Sequence, residues 1–141
     1  MYRKILIPLD ISPIDLPILR HIRSLARLTN AELVFVHVAD GYAARLQQEL
    51  DLADSEEIKD DRAYLAEKAK EFTQEGFQVK NFLLAGDPAT EILKVAEKEQ
   101  CDLIAMSTHG HRFFKDILLG SVAENLRHRT DTPILMIRAS K

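Results

Sequence analysis

The chain has 141 residues, a mass of 16.0 kDa and a formal net charge of -3. That length suits one domain over residues 1–141, able to bury about two-thirds of its unfolded-chain surface without a disulfide or a metal. A hydrophobic share of 46% with 29% charged residues excludes a disordered chain, and a pI near 5.9 excludes nucleic-acid binding by broad phosphate neutralisation.

The first ten residues hold Arg3 and Lys4 and a broken apolar series, Ile5, Leu6, Ile7 and Leu9. They lack the uninterrupted apolar core and small-residue cleavage site of a secretion signal, so the cytoplasm is the expected compartment. No apolar run approaches the ~20 residues that span a membrane. Ile5-Leu6-Ile7 is the first of five short apolar runs. The others are Leu33-Val34-Phe35-Val36-His37-Val38, residues 79–84, Leu103-Ile104-Ala105-Met106 and Ile134-Leu135-Met136-Ile137. Short, partly β-branched runs of this kind predict strands buried on both faces, as in a parallel sheet.

Helix-period segments separate the runs. The first covers residues 12–29, with Ile18, Ile22, Leu25 and Ala26 on one face. Ser12 and Asp15 have capping-box spacing and Pro13 suits a first helical position. Pro17 conflicts with that start, because it removes a backbone donor in the second turn; a start near Asp15 removes the conflict. Residues 39–54 carry Leu46, Leu50 and Ala53 at helical spacing and predict a short connecting helix. A second long helix is predicted over residues 55–75, with Ile58, Leu65, Ala69 and Phe72 inward and Gly76 as its stop. A third follows Gly86-Asp87-Pro88, capped by Asp87, with Ile92, Val95 and Ala96 inward. Cys101, the single cysteine, excludes an internal disulfide and reads as a small buried residue. The fourth helix is predicted to start at Ser121 and end near Thr130.

This alternation of strands and helices predicts a three-layer α/β/α sandwich around a five-stranded parallel, doubly wound sheet. Ligands of such sheets bind beyond the carboxyl ends of the strands, where the strand order reverses. The residues expected there follow each run: Pro8-Leu9-Asp10, Ala39-Asp40-Gly41, Gly86-Asp87, Ser107-Thr108-His109-Gly110 and Ala139-Ser140.

The most informative stretch runs from Met106 to Glu124. A buried strand opens into a loop with Gly110, and a second turn holds Gly120 just before a predicted helix. The N–H groups at the start of a helix lack internal partners, so they favour an anion. Ser121 and Glu124 have capping-box spacing, and the Ser121 hydroxyl can also donate to a phosphate oxygen. The stretch is neither a P-loop, which needs a lysine after its second glycine, nor a G-x-G-x-x-G turn.

On these residues the chain resembles the nucleotide-binding branch of the universal stress protein family. The family motif G-x2-G-x9-G-[ST] reads here as Ser107-x2-Gly110-x9-Gly120-Ser121, with three of four positions matched. The Ile-Leu-Ile-Pro-Leu-Asp opening, His37-Val38, Gly86-Asp87-Pro88, Leu-Leu-Gly-Ser-Val and the Thr-Pro-Ile-Leu-Met-Ile end extend the likeness along the whole chain. The resemblance implies strand order 3-2-1-4-5 and the binding of ATP, with magnesium or manganese carried on its phosphates. It implies that Pro8 and Asp10 line the adenosine part and that the Val38 backbone meets the adenine. Met106, Ser107, His109, Gly110, His111 and Arg112 would pass beside the ribose and phosphates, and Gly120, Ser121, Val122 and Ala123 would hold the phosphates. It also implies a homodimer paired through Ile134-Leu135-Met136-Ile137, an edge otherwise open to solvent.

Ser107 departs from the motif glycine. If that glycine serves a positive φ, serine costs about 1 kcal/mol of strain; if it serves close approach, the side chain crowds the ribose or adds a hydrogen bond. The alternative function is therefore a dimeric interaction protein of the same family that binds no nucleotide. A phosphoacceptor receiver domain would need an acidic pair after the first strand, where only Asp10 stands. No base is assignable to a nucleophile, so hydrolysis is expected to be slow or absent.

Overall fold

The computed structural model describes residues 1–39, 56–109 and 117–139. In chain order its elements are β1 (Lys4–Pro8), α1 (Asp15–Thr29), β2 (Glu32–Ala39), α2 (Glu56–Gln74), β3 (Val79–Ala85), α3 (Pro88–Glu99), β4 (Leu103–His109), α4 (Ile117–Arg129) and β5 (Ile134–Ala139). The short helix expected within residues 39–54 falls almost wholly outside the described residues. All four strand pairings are parallel, and the sheet order is β3-β2-β1-β4-β5.

Alternation along the strands divides the core into two layers. In β1, Ile5 and Ile7 face one side with Phe35, Leu65 and Phe72, which brings α1 and α2 against that face. Leu6 faces the other with Val34, Val36, Ile92, Val95 and Leu126, from β2, α3 and α4. Both faces of the central strands are therefore buried, which is why their sequences are continuous apolar runs.

The strands extend past those runs wherever polar residues can keep the ladder. β4 continues through Ser107, Thr108 and His109, which pair with Ile137, Arg138 and Ala139 of β5. The expectation that residues 107–109 form a loop is thus corrected. Helix α1 begins at Asp15, not Ser12, and the Asp15 N–H bonds the Ser12 carbonyl. Pro17 then lies in the first turn, where its missing N–H would have had no helical partner. Asp87 caps α3 by accepting from the Thr90 N–H, and Pro88 opens the helix. Gly86 turns the chain into that cap at φ +134°, where a Cβ would also press on Glu91 at 3.3 Å.

Helix α4 begins at Ile117, four residues before the predicted start. Ser121 is therefore inside the helix rather than its N-cap. The Val122 and Ala123 N–H groups lie opposite the Leu118 and Leu119 carbonyls and are engaged by the helix itself. No helix among the described residues is long and apolar enough to cross a membrane.

Candidate functional site

The site begins where β1 ends. The Leu9 N–H continues the ladder to the Val36 carbonyl at 2.8 Å. Its carbonyl lies 2.7 Å from His37 Nδ1. A carbonyl only accepts, so Nδ1 carries the proton, and Nε2 faces Asp61 Oδ2 across 3.6 Å. His37 is thus a hydrogen-bonded histidine at the edge of the hollow described below.

Beyond Leu9 the chain turns through Ile11, whose φ of +62° is unusual for a β-branched residue. The Asp15 carboxylate compensates. Its Oδ1 accepts from the Asp10 N–H at 2.8 Å, and its Oδ2 accepts from the Ile11 N–H at 2.9 Å and the Ser12 N–H at 3.4 Å. The Tyr64 hydroxyl on α2 donates to Oδ2 at 2.9 Å. Burial raises the Asp15 carboxyl above its ordinary value, opposed by these hydrogen bonds. The Tyr64 phenol is pushed far above its ordinary range, first by burial and then by the Asp15 charge. Ser12 Oγ donates to Asp10 Oδ2 at 2.7 Å, which fixes the Asp10 side chain against its own turn.

A hollow lies at this carboxyl edge. Pro8, Leu9 and Asp10 line it from the exit of β1, and Val36, His37 and Val38 from β2. Pro88 and Ile92 close it from α3 and Val122 from α4. Its walls are mainly apolar, with one carboxylate at the rim. The hollow itself is small, about 30 Å³, so it offers an apolar wall with a carboxylate beside it, against which one edge of a flat heterocycle could rest. A larger depression, about 650 Å³, opens at the opposite, amino end of the strands. Its lining mixes Arg3 and Arg27 with Glu32 and Glu75, and Arg27 already pairs with Glu75 at 3.4 Å. Volume alone does not make it the site, because parallel sheets take ligands at the carboxyl edge.

Of the residues expected to contact a ligand, Pro8 and Asp10 at the exit of β1, Val38 of β2 and Val122 of α4 come together around the hollow. Met106 and Ala123 do not present their side chains there; both are buried in the core on the α3–α4 side. Ser107 is also buried, and its Oγ donates to the Ile14 carbonyl at 2.7 Å. It is absent from the residues with positive φ, so the feared strain does not arise. Gly110, His111 and Arg112 lie outside the described residues. His109 is described as the last residue of β4, and Gly120 and Ser121 as residues of α4. Among the described residues no group of three or more His, Cys, Asp or Glu side chains could hold a metal.

Sequence reasoning did not assign Asp15 and Tyr64 to the site. Asp15 was read as part of a helix start, and Tyr64 is one of three tyrosines with no motif around it. The only local signal is the Asp10-x-Ser12-x-x-Asp15 spacing, which needs the fold to show that α2 reaches it.

A five-stranded parallel sheet between two helical layers, with its hollow near the reversal of strand order, defines a doubly wound α/β protein. The profile of the universal stress protein family matches residues 1–138, and the chain belongs to that family. It is 33% identical to the universal stress protein MJ0577 of Methanocaldococcus jannaschii, over 98% of this chain and 96% of that protein. It is 35% identical to MJ0531 of the same organism, over all of this chain and 85% of that one. The solved structure of MJ0577 matches with a TM-score of 0.74, covering 98% of this chain and 96% of its own. A universal stress protein from Archaeoglobus fulgidus, solved in complex with dAMP, shares the fold at a TM-score of 0.70 and 22% identity, covering 96% of this chain and 98% of that one.

Proposed function

We propose that this chain binds an adenine nucleotide, ATP first among them, at the carboxyl edge of the sheet and serves as a stress-response or signalling module. The observation that carries the reading is the convergence of Pro8, Asp10, Val38 and Val122 on one hollow. Apolar walls suit the adenine, and the Asp10 carboxylate suits a ribose hydroxyl or the exocyclic amine. The phosphates fall to the first turn of α4, whose N–H groups lack carbonyl partners within the helix. The dAMP complex of the Archaeoglobus relative adds support from a protein of the same fold. A divalent ion would ride on the phosphates and need no protein cluster. Self-association along β5 belongs to the same reading.

Calorimetric titration with ATP and magnesium tests it. Saturable binding is expected, and Asp10→Ala should weaken it about tenfold or more, as for a hydrogen bond to a charged group. No binding at millimolar nucleotide would end the proposal.

A further inference from the structure

The β1–α1 loop is held from behind by a helix that does not line the hollow. Among the described residues, none that lines the hollow comes from α2. Yet α2 reaches the loop through the Tyr64 hydroxyl on Asp15, and the Asp61 carboxylate faces His37, which holds the Leu9 carbonyl. The Asp15 side chain is fully buried and takes four donors: three consecutive loop N–H groups and Tyr64. Those loop N–H groups belong to Asp10, Ile11 and Ser12, the residues that set the direction of the Asp10 carboxylate.

We infer that Asp15 and Tyr64 are positioning residues for the adenine-nucleotide site. Tyr64 fixes the Asp15 carboxylate, Asp15 gathers the loop around the left-handed Ile11, and the loop aims Asp10 at the ligand. Affinity then depends on where α2 sits, although α2 touches no part of the bound molecule. The inference rests on the site reading above, in which Asp10 contacts the adenosine end.

The test is a double-mutant cycle with Tyr64→Phe and Asp10→Ala, read by calorimetry with ATP and with adenosine at a temperature where every variant is folded. Tyr64→Phe deletes one hydroxyl and keeps the ring. It should weaken both ligands by the same factor, about threefold to tenfold, so that the ATP-to-adenosine ratio stays constant. In the Asp10→Ala background the same substitution should have no further effect, because its influence passes through Asp10. A general loosening of the fold would instead weaken binding equally in both backgrounds, and that result overturns the inference. So does unchanged affinity in Tyr64→Phe alone. Hydrogen exchange in the ligand-free protein gives a second measurement: the Asp10 and Ile11 amides should exchange faster in Tyr64→Phe, while the Ile5 and Leu6 amides keep their protection. Failure of the wild type to bind any adenine nucleotide would remove the site reading itself; unchanged exchange at Asp10 and Ile11 would remove the Tyr64 clasp.

Discussion

The Ser107 hydroxyl donates to the Ile14 carbonyl at 2.7 Å, inside a strand and out of contact with solvent. This bond ties β4 to Ile14, the residue just before α1. Removing it by Ser107→Ala should cost about 1 kcal/mol, the net value of an ordinary intramolecular hydrogen bond. Ser107→Gly restores the motif residue but should cost about 0.5–1 kcal/mol more, because glycine loses more backbone freedom in a strand. Urea unfolding of the two variants checks both values. ATP affinity should not rise in the glycine variant, since the serine side chain points away from the hollow; a rise would show that serine crowds the ligand. The motif alone could not reveal this, because a spacing pattern gives position and not direction. The place of Asp10 beside the hollow was legible, since a residue just past a buried central strand lies at the carboxyl edge of the sheet. Asp15 was not, since its role depends on Tyr64, 49 residues away.

At the scale of elements, α3 shows which signals carry. Its cap was legible because Asp87, Pro88 and Thr90 act within one turn. The Asp87 carboxyl accepts from the Thr90 hydroxyl at 2.6 Å and the Thr90 N–H at 3.0 Å. The hydroxyl bond first, then the N–H, holds it below its ordinary value of 3.8. A carboxyl depressed in the folded state adds stability above its unfolded pKa, and that stability is lost as the pH falls through its folded value. Asp87→Ala should therefore cost about 1 kcal/mol near neutral pH. The gap to wild type should close as the pH drops below about 4, which thermal melts across an acid series would measure. A gap unchanged down to strong acid would show that the charge on Asp87 adds nothing to its cap. The start of α4 was misread for the opposite reason. Ser121-x-x-Glu124 mimics a capping box, but Ile117, Leu118 and Leu119 are adequate helix formers, and Val122, Ala123 and Leu126 are buried in the core. Packing of that face outweighs the ~1 kcal/mol cost of Gly120 inside a helix.

At the scale of the whole molecule, the two edges of the sheet differ in kind. β3 ends one side and exposes Lys80 and Asn81, polar side chains that discourage further pairing. β5 ends the other with Ile134, Leu135 and Ile137 only partly buried and Met136 42% exposed. β5 pairs with β4 from Ile134 to Ala139, and among the described residues the strand order gives it no neighbour on its far side. An open apolar edge favours pairing with a second copy, which would also bury Met136. The doubly wound class was readable in advance from five apolar runs separated by helices, whereas the order of the strands came with the family resemblance, because such sheets admit more than one right-handed order. The asymmetry of the edges was readable only in part, since Met136 looks as apolar as its half-buried neighbours Leu135 and Ile137 until the pleat assigns its face. Light scattering should give twice the 16.0 kDa monomer mass for the wild type. Met136→Lys places a charge on the proposed seam and should shift the mass to 16.0 kDa without unfolding the chain, as judged by circular dichroism. A wild type that runs as a monomer would remove the dimer. A dimer indifferent to Met136→Lys would place the contact elsewhere, and any signal from an occupied nucleotide site would then have to leave the molecule by a route other than β5.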